Sequence, residues 1–459
     1  MIDKDYTKYL QQQVIKFIHP YNYLLLAFSG GLDSIVLLDI ITMLRNKYNN
    51  IFLRACYIDH QRSSLSSNQW LHHCIYECKR RDVSFIYDVI KVNKGNFEQN
   101  ARNQRYKKLL KVLKYNEVLI TAHHQNDQVE TFFLALKRGS GPRGLSAMPI
   151  DQPFYHSRLL RPLLNCSKAM LLSYANKNKL NWVNDDSNYD NTLDRNFLRN
   201  NIIPLLQKRW NNFCQNVTLS TYLCAHQEQL INMLLNKIIY SMMFHDESLI
   251  VDNMIGMSIV YCLAILRFWL IKKVFISCSY KKLNIIWNEV VLSRNDSLAK
   301  FYISNFIVQK FRNRLYVHKF SNRYKDFCSK TIIFTSTNNY KRILLPLNLG
   351  EILFLTINNI NNKKLISIVK APTVTDIVSI RFNIKSKTLI KLVHTKHHIT
   401  LKKIWKILSV PPWQRKIIPI LFYNNKLIAA IGYFVTVYGA PINSNHWYLY
   451  WFNKNKYLY

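Results

Sequence analysis

The sequence predicts an α/β domain with a parallel sheet, followed by a mainly helical region and a small α+β region. Over about the first two hundred residues, short continuous apolar runs alternate with helical patterns, which is typical of a parallel sheet covered on both faces. From about residue 205 to residue 302 the pattern is mainly helical. After about residue 337, strand-like runs return around one helical stretch.

The strands and helices of the α/β domain follow one another in chain order. An apolar run at 23–28 predicts the first strand, which ends in Ser29-Gly30-Gly31, and a helix follows at 34–44. Further strands are predicted at 51–58, 84–89 and 118–121, with helices near 70–79 and 97–113. In the last region we expect strands at 342–345, 352–356, 377–382 and 447–451, with a helix near 401–408. These patterns divide the chain into regions 1–215, 216–335 and 336–459.

The balance of charges indicates a polyanionic partner. Among 459 residues there are 63 Lys and Arg against 26 Asp and Glu, which gives a formal net charge of +37. Nucleic acid is the favoured partner, because the longest apolar run, at 254–266, is too short to span a bilayer. The hydrophobic fraction of 49% excludes wholesale disorder.

The chain is expected to be a reduced, cytoplasmic protein without a membrane partner. Its nine cysteines are scattered, and no two of them have C-x-x-C spacing. The segment Met1–Asp5 carries acids and lacks the basic-then-apolar signature of a signal peptide.

The loop after the first strand has the composition of a phosphate-binding turn. Adjacent Gly30 and Gly31 let the backbone turn tightly and direct N–H groups at an anion beside a helix N-terminus. Ser29 and Ser34 can add hydroxyl donors, and Asp33 suits a magnesium ion or the polar edge of a nucleotide. The alternative is a simple strand-to-helix turn capped by Ser34 or Asp33.

This loop resembles the S-G-G-x-D-S signature of the PP-loop ATP-pyrophosphatase superfamily. Members of that superfamily cleave ATP between its α- and β-phosphates and adenylate a substrate. A G-x-x-x-x-G-K-[ST] loop is absent, which disfavours transfer of the γ-phosphate. The resemblance implies that ATP binds the residues of the hexamer, which are Ser29, Gly30, Gly31, Leu32, Asp33 and Ser34.

A second block is more specific. Residues 121–131 read T-A-H-H-Q-N-D-Q-V-E-T and residues 138–145 read R-G-S-G-P-R-G-L, which strongly resembles the tRNA(Ile)-lysidine synthase family. Asp127 and Glu130 are three residues apart, so they share a helix face and could both reach a metal or an amine. The same spacing could instead form a capping box. Asn126 stands where the family usually has an aspartate, which changes the number of carboxylates near any metal.

Further blocks extend the resemblance along most of the chain. It is dense over 20–215 and 395–436 and thin between 216 and 395. The matching segments are Y-I-D-H at 57–60, E-Q-N-A-R-N-Q-R-Y at 98–106, D-D-S-N at 185–188, D-R-N-F-L-R at 194–199, L-K-K at 401–403 and V-P-P-W-Q-R at 410–415. R-P-L at 161–163 belongs to the same set.

The resemblance implies an ATP-dependent ligase that joins L-lysine to the wobble cytidine of a CAU-anticodon tRNA(Ile). Region 1–215 would be the PP-loop catalytic domain, and regions 216–335 and 336–459 would bind tRNA. Asp33, Asp127 and Glu130 are the implied catalytic residues. Asp33 and Asp127 would bind Mg²⁺. Glu130 would take the proton from the lysine amine, with Asp127 as the alternative acceptor. Contacts with lysine or tRNA are expected from Arg102, Arg195, Arg199, Lys402, Lys403 and Arg415.

Two uses of Arg and Trp side chains stay open, and so does the oligomeric state. The lysine carboxylate suits a guanidinium, which Arg195 or Arg102 could supply. Trp413 could offer an aromatic surface to RNA or anchor the core. A homodimer is possible.

Two other functions compete with the ligase. A basic tRNA-binding protein with a decayed PP-loop site would account for Asn126, although the intact loop, Asp127, Glu130 and Arg195 argue against decay. Another PP-loop tRNA-modifying enzyme, such as a thiolase, would need cysteines in C-x-x-C spacing, and the sequence has none.

Overall fold

A computed structural model shows two compact units, Met1–Ile231 and Asn232–Tyr459. It describes residues 5–48, 50–59, 64–90, 97–184, 186–294, 297, 299–319, 331–334, 340–346, 349–356, 367–441 and 446–452. Within these residues, no helix is both long and apolar enough to cross a membrane. The division of the chain into three regions stays a prediction.

The first unit alternates helices and strands as predicted. Its elements, in chain order, are α1 Thr7–Ile18, β1 Tyr23–Ala27, α2 Leu32–Lys47, β2 Phe52–Asp59, α3 Ser64–Arg80, β3 Ser84–Val89, α4 Phe97–Val112, β4 Glu117–Ile120, α5 Gln125–Lys137, α6 Pro142–Leu145, β5 Asp151–Phe154, β6 Ser157–Leu160, α7 Lys168–Lys177, α8 Asp194–Phe197, α9 Ile203–Arg209 and α10 Phe213–Met242, whose last turns belong to the second unit. A π-helical turn, Leu198–Ile202, joins α8 to α9.

The strand order β3-β2-β1-β4-β6-β5 creates the place where a ligand can bind. All neighbouring pairs are parallel except β5 and β6. The chain runs outward from β1 through β3 and then returns to β4 on the other side of β1. The loops that leave β1 and β4 therefore diverge at the carboxyl edge of the sheet, which is where open α/β sheets bind ligands.

Alternating apolar side chains of β1 build both faces of this sheet. Leu24 and Leu26 contact one buried cluster, which includes Ile35 of α2, while Leu25 belongs to a second cluster on the opposite face with Leu119 of β4. All five side chains have no exposed surface. Burial of each contributes about 1.5–3 kcal/mol to folding, so the edge that carries the β1 loop is rigidly supported.

The second unit starts with helices and ends in antiparallel sheets, as predicted in outline. Beyond α10, its main helices are Ile259–Val274 and Tyr280–Ile285. A four-stranded sheet consists of Leu249–Ile250, Lys300–Ile303, Phe306–Phe311 and Arg314–Lys319. Strands therefore occur at Leu249–Ile250 and again from Lys300 onward, inside the region 216–335 that was predicted to be mainly helical, and not only after residue 337.

Two further antiparallel sheets and two short helices, Leu401–Ile407 and Pro412–Arg415, complete this unit. One sheet contains Ile332–Phe334, Val378–Arg381, Ile420–Tyr423, Lys426–Ala430 and Phe434–Val435. The other contains Tyr340–Leu344, Glu351–Leu355, Ser367–Lys370 and His446–Phe452, and a two-residue pair joins Leu389–Ile390 to Ile399–Thr400. The predicted α+β character of the C-terminal region is confirmed.

Candidate active site

Hydrogen bonds between two serine hydroxyls and the backbone hold the loop between β1 and α2 in shape. Ser34 Oγ donates to the carbonyl oxygen of Gly31 at 2.9 Å and lies 3.1 Å from Ser29 Oγ. The backbone N–H of Ser29 donates to Ser34 Oγ at 3.3 Å. The two serines therefore shape the turn, which leaves the N–H groups at the start of α2 as the natural donors for an anion.

Gly30 is required at its position for two separate reasons. Its φ of +74° lies in the left-handed region, which disfavours side chains. A Cβ built on Gly30 would also lie only 2.8 Å from Sγ of Cys74, a fully buried residue of α3. The loop therefore packs against α3 more closely than any side chain permits.

Asp33, in the first turn of α2, has the free carboxylate oxygen that a metal would need. Its Oδ1 is enclosed and has no hydrogen-bond partner, whereas Oδ2 lies 3.5 Å from Nε2 of His124. The described residues contain no group of three or more His, Cys, Asp or Glu side chains that could hold a metal alone. Asp33 thus fits Mg²⁺ of the kind that binds one or two carboxylates plus substrate phosphates.

His124 fixes the start of α5 and connects it to Asp33. Its Nδ1 accepts from the backbone N–H of Asn126 at 3.2 Å, and Oδ2 of Asp127 accepts from the backbone N–H of His124 at 3.0 Å. This is a capping box, but its residues are His124 and Asp127, so the predicted alternative of Asp127 with Glu130 is wrong. Burial opposes protonation of His124, but the carboxylates of Asp127 and Asp33 outweigh it and raise its pKa.

Asn126 has a structural partner of its own. Its side-chain oxygen Oδ1 accepts from the backbone N–H of Lys168, the first residue of α7, at 3.2 Å. The amide therefore holds two helices together near the site.

Four charged side chains form the centre of the site, and we call them the salt-bridge cluster: Asp127, Glu130, Arg195 and Arg199. Glu130 is fully buried, and it accepts from Nε of Arg195 and from Nε of Arg199, both at 2.6 Å. Oδ1 of Asp127 accepts from Arg195 at 3.0 Å and from Arg199 at 3.1 Å. Two carboxylates thus balance two guanidinium groups, which makes burial of the four charges tolerable.

The fold brings these four residues together from distant parts of the chain. The two acids lie one turn apart on α5, and the two arginines lie one turn apart across α8 and the π-helical turn. Burial alone would raise the pKa of Asp127, but His124, Arg195, His123 and Arg199 together hold it below its usual value. Asp127 is therefore ionised at neutral pH.

Three residues that the sequence analysis did not single out border this cluster: His123, Arg105 and Arg161. Nδ1 of His123 lies 2.8 Å from Oγ1 of Thr121. Burial lowers the pKa of His123 well below its usual value, and the charges of Arg161, Arg105 and Arg195 lower it further against the effect of Asp127. The ring is therefore neutral at pH 7. Arg105 lies in the motif E-Q-N-A-R-N-Q-R-Y and Arg161 in the motif R-P-L, and these motifs were the sequence signal that could have identified both residues.

The remaining predicted residues lie apart from the salt-bridge cluster or in the second unit. Arg102 is exposed on α4, with its guanidinium 5.7 Å from the ring centroid of Tyr106. Lys402 and Lys403 are exposed on Leu401–Ile407, and Nε of Arg415 donates to the carbonyl of Val410 at 2.9 Å. Two motif residues, His60 and Asp185, lie outside the described residues.

Trp413 is half-buried within a group of rings in the second unit. Its ring stacks on His318 with centroids 5.0 Å apart and planes at 13°, and Tyr316 and Phe311 meet it edge-on. The indole therefore joins Pro412–Arg415 to the sheet strands Phe306–Phe311 and Arg314–Lys319.

The histidine in this ring group should make folding sensitive to acid. Burial lowers the pKa of His318 from 6.5 to about 4. As the pH falls from 6.5 towards 4, the unfolded chain binds a proton that the folded chain does not, so stability that is present above pH 6.5 is lost. Between pH 7 and pH 5, the free energy of unfolding should fall by about 2 kcal/mol more in the unaltered protein than in His318→Gln.

Urea unfolding at the two pH values measures this difference. His19, which is exposed and lies in the first unit, provides the matched control as His19→Gln, whose pH dependence should equal that of the unaltered protein. Equal pH dependence in His318→Gln and the unaltered protein would show that the ring is not buried in its neutral form.

Comparisons with known proteins agree with this geometry. A PP-loop domain model matches residues 3–206, and a TilS substrate C-terminal domain model matches residues 378–451. The tRNA(Ile)-lysidine synthase of Blochmanniella floridana is 41% identical over 95% of this chain and 90% of that protein. The tRNA(Ile)-lysidine synthase of Serratia proteamaculans is 36% identical over 97% of this chain and 99% of that protein. The chain therefore belongs to the tRNA(Ile)-lysidine synthase family.

Proposed function

We propose that this chain ligates lysine to C2 of the wobble cytidine in the CAU anticodon of tRNA(Ile), which forms lysidine and changes codon reading from AUG to AUA. Cytosine O2 would attack the α-phosphate of ATP, pyrophosphate would leave, and the lysine ε-amine would then displace AMP from C2. The observation that carries this proposal is the proximity of Asp33 to Asp127 through His124, which joins the PP-loop to the salt-bridge cluster.

The PP-loop suits the first step. The departing pyrophosphate needs N–H donors held in advance, and the start of α2 supplies them beside Gly30 and Gly31. Mg²⁺, when bound, would neutralise charge on the phosphates, and Asp33 would hold it with the oxygen that has no other partner. Both oxygens of Asp127 already accept hydrogen bonds, so its part in metal binding stays a prediction.

The second step requires a group that removes a proton from the lysine ammonium. Glu130 is the predicted acceptor, but both of its oxygens accept from arginines, which lowers their availability as a base. We propose that Glu130 first of all positions Arg195 and Arg199. A direct role as the base would require these contacts to open when substrates bind.

The cellular setting follows from the substrates. We expect the protein to work in the cytoplasm, where both tRNA and ATP are present. The eight cysteines in the described part of the chain are free thiols, as a reducing compartment favours. The homodimer stays a prediction.

The decisive experiment incubates the purified protein with ATP, Mg²⁺, labelled lysine and CAU-anticodon tRNA(Ile), and then counts acid-precipitable label. A methionine tRNA with the same anticodon is the matched control. Label in the isoleucine tRNA alone is expected. Salt-sensitive tRNA binding without label would instead favour an RNA-binding protein with a decayed site.

Asp33→Asn tests the metal assignment within the same assay. The amide keeps the size of the side chain but lacks the charge that attracts Mg²⁺, so the Mg²⁺ concentration for half-maximal adenylation should rise about tenfold. Asp39→Asn, on the same helix but hydrogen-bonded to Tyr174 and Arg81, should leave that concentration unchanged. An unchanged Mg²⁺ requirement in Asp33→Asn would exclude Asp33 as a ligand.

A further inference from the structure

Arg312 has a backbone conformation that arginine rarely adopts. The strands Phe306–Phe311 and Arg314–Lys319 pair as a hairpin, and its two-residue turn consists of Arg312, with a φ of +47°, and Asn313, with a φ of +57°. Two left-handed residues in succession suit the twist of a hairpin, but such turns favour Asn and Gly. Asn313 fits this preference and Arg312 does not, which points to a role for the arginine side chain.

The side chain of Arg312 reaches a part of the chain almost a hundred residues away. Its NH1 donates to the hydroxyl of Ser409, and its NH2 donates to the backbone carbonyl of Lys406. Both acceptors lie at the C-terminal end of the helix Leu401–Ile407, where the carbonyl groups of the helix favour a positive charge. A guanidinium presents its N–H groups in a fixed plane, so one arginine binds both acceptors together.

A group of rings joins the same hairpin to the same part of the chain. The indole of Trp413, four residues after Ser409, lies against three rings of the hairpin: Phe311, Tyr316 and His318. The hairpin therefore contacts the chain on both sides of the loop that joins Leu401–Ile407 to Pro412–Arg415. It is placed to set the conformation of that loop.

The helix whose end Arg312 binds carries two cations for which contacts with tRNA are expected. Lys402 and Lys403 are both exposed on this helix. A nucleic-acid backbone is bound by several cations at once, and these contacts fix the register of the protein on the RNA. The position of the helix therefore decides whether both lysines meet phosphates together.

Arg415 adds a third cation close to Arg312. Its Nε donates to the carbonyl of Val410 at 2.9 Å, so it binds the same loop. Burial lowers the pKa of Arg415 and the charge of Arg312 lowers it further, because the two guanidinium groups are near each other. Among the contacts of the described residues, neither arginine has an acidic partner. This surface thus has a surplus of positive charge, which suits the phosphates of an RNA.

We propose that Arg312 is a positioning residue for tRNA binding. Through Ser409 and the Lys406 carbonyl, it holds the end of the helix. Lys402 and Lys403 of that helix then meet the phosphates of the tRNA in a fixed arrangement. This assignment rests on the proposed function and adds a residue to it. A direct contact between Arg312 and a phosphate is the competing outcome of the test.

Arg312→Lys distinguishes positioning from a direct phosphate contact. Lysine keeps the positive charge, but its single ammonium cannot replace a planar guanidinium that binds two acceptors. Release of pyrophosphate is measured at saturating ATP while the concentration of tRNA(Ile) is varied. The KM for tRNA should rise about three- to tenfold, while kcat stays the same. A direct contact predicts an unchanged KM, because either cation can bind a phosphate.

Arg312→Gly distinguishes positioning from a purely structural role. Glycine adopts a left-handed φ without strain, so the variant should unfold at the same urea concentration as the unaltered protein or at a higher one. The KM for tRNA should still rise about tenfold, because both hydrogen bonds are lost. A lower midpoint of unfolding together with an unchanged KM would show that Arg312 only stabilises the fold.

Ser409→Ala tests whether Arg312 acts through the end of the helix. It removes one acceptor of the guanidinium and should raise the KM for tRNA about two- to threefold. In the Arg312→Gly background it should add nothing, since the hydrogen bond is already absent. Equal effects in both backgrounds would overturn the positioning role. Arg294→Lys, which alters another exposed arginine of this unit, is the matched control and should leave the KM unchanged.

Other outcomes separate this inference from the proposed function. If Lys402→Gln and Lys403→Gln together leave the KM for tRNA unchanged, the helix does not contact tRNA and the positioning role of Arg312 is overturned. If they raise the KM while Arg312→Lys does not, the positioning role is again overturned but the proposed ligase stands. If the unaltered protein adenylates no tRNA at all, the proposed function itself fails, and the assignment fails with it.

Discussion

Glu130→Ala is expected to lower the free energy of unfolding by about 3–5 kcal/mol and to abolish lysine transfer. The substitution removes a fully buried carboxylate that accepts from Nε of both Arg195 and Arg199. Two largely enclosed guanidinium groups then repel each other with one negative charge fewer to offset them. Urea unfolding measures the first effect, and the labelled-lysine assay measures the second.

Glu130→Gln separates a positioning role from a base role. The amide preserves the shape, so a folded protein is expected, and its kinetics are informative. A positioning role predicts that tRNA adenylation and lysine transfer both fall, whereas a base role predicts a loss of lysine transfer alone.

Asp151→Asn is the stability control for Glu130→Ala. It alters an exposed pair with Arg158 and should change the free energy of unfolding by less than about 1 kcal/mol. If Asp151→Asn lowered the free energy of unfolding as much as Glu130→Ala, burial of Glu130 would not explain the effect of its loss.

Gly30→Ala should reduce tRNA adenylation about a hundredfold. The alanine would adopt a left-handed φ of +74°, and its Cβ would lie 2.8 Å from Sγ of Cys74, so one of the two must shift. Because Cys74 is fully buried in α3, we expect the loop to move. Displacement of a phosphate-binding backbone by about 1 Å costs on the order of a hundredfold in rate. Release of pyrophosphate from ATP in the presence of tRNA measures this effect.

Gly139→Ala is a well-matched control for the backbone cost. Gly139 also has a left-handed φ, +65°, but no atom lies within 4 Å of a Cβ built there. Its substitution should cost about 1 kcal/mol of stability and leave adenylation nearly unchanged.

Cys74→Ala in the Gly30→Ala background removes the clashing sulfur and should restore part of the adenylation rate. No recovery would mean that the backbone conformation, and not the contact, decides the effect.

Much of the first unit could be predicted because its strands are continuous apolar runs. Leu24, Leu25 and Leu26 are buried on both faces of the sheet, and such a run has little alternative to a central strand. The hairpin of β5 and β6 was missed because Pro153 and the polar residues around it look like a loop. In the second unit, the strands Phe306–Phe311 and Arg314–Lys319 were missed because charged residues interrupt their alternation.

The candidate site could be predicted only in part. The PP-loop, Asp127 and Glu130 lie in short motifs, so local spacing identifies them. The pairing of Glu130 with Arg195 and Arg199 joins residues 65 and 69 positions apart, and no local pattern specifies it. His123 was not singled out from the sequence, because only its burial and the arginines around it distinguish it.

Asn126 shows how a site can tolerate a change in its coding sequence. Aspartate and asparagine codons differ by one base, G to A at the first position, which is the direction favoured in AT-rich genes. The side chain at this position accepts a hydrogen bond from the N–H of Lys168 in α7, and one side-chain oxygen is enough to accept it. Aspartate and asparagine both provide that oxygen, so a mutational bias could exchange them without disturbing the scaffold. Asn126 thus makes this hydrogen bond without adding a charge beside the salt-bridge cluster.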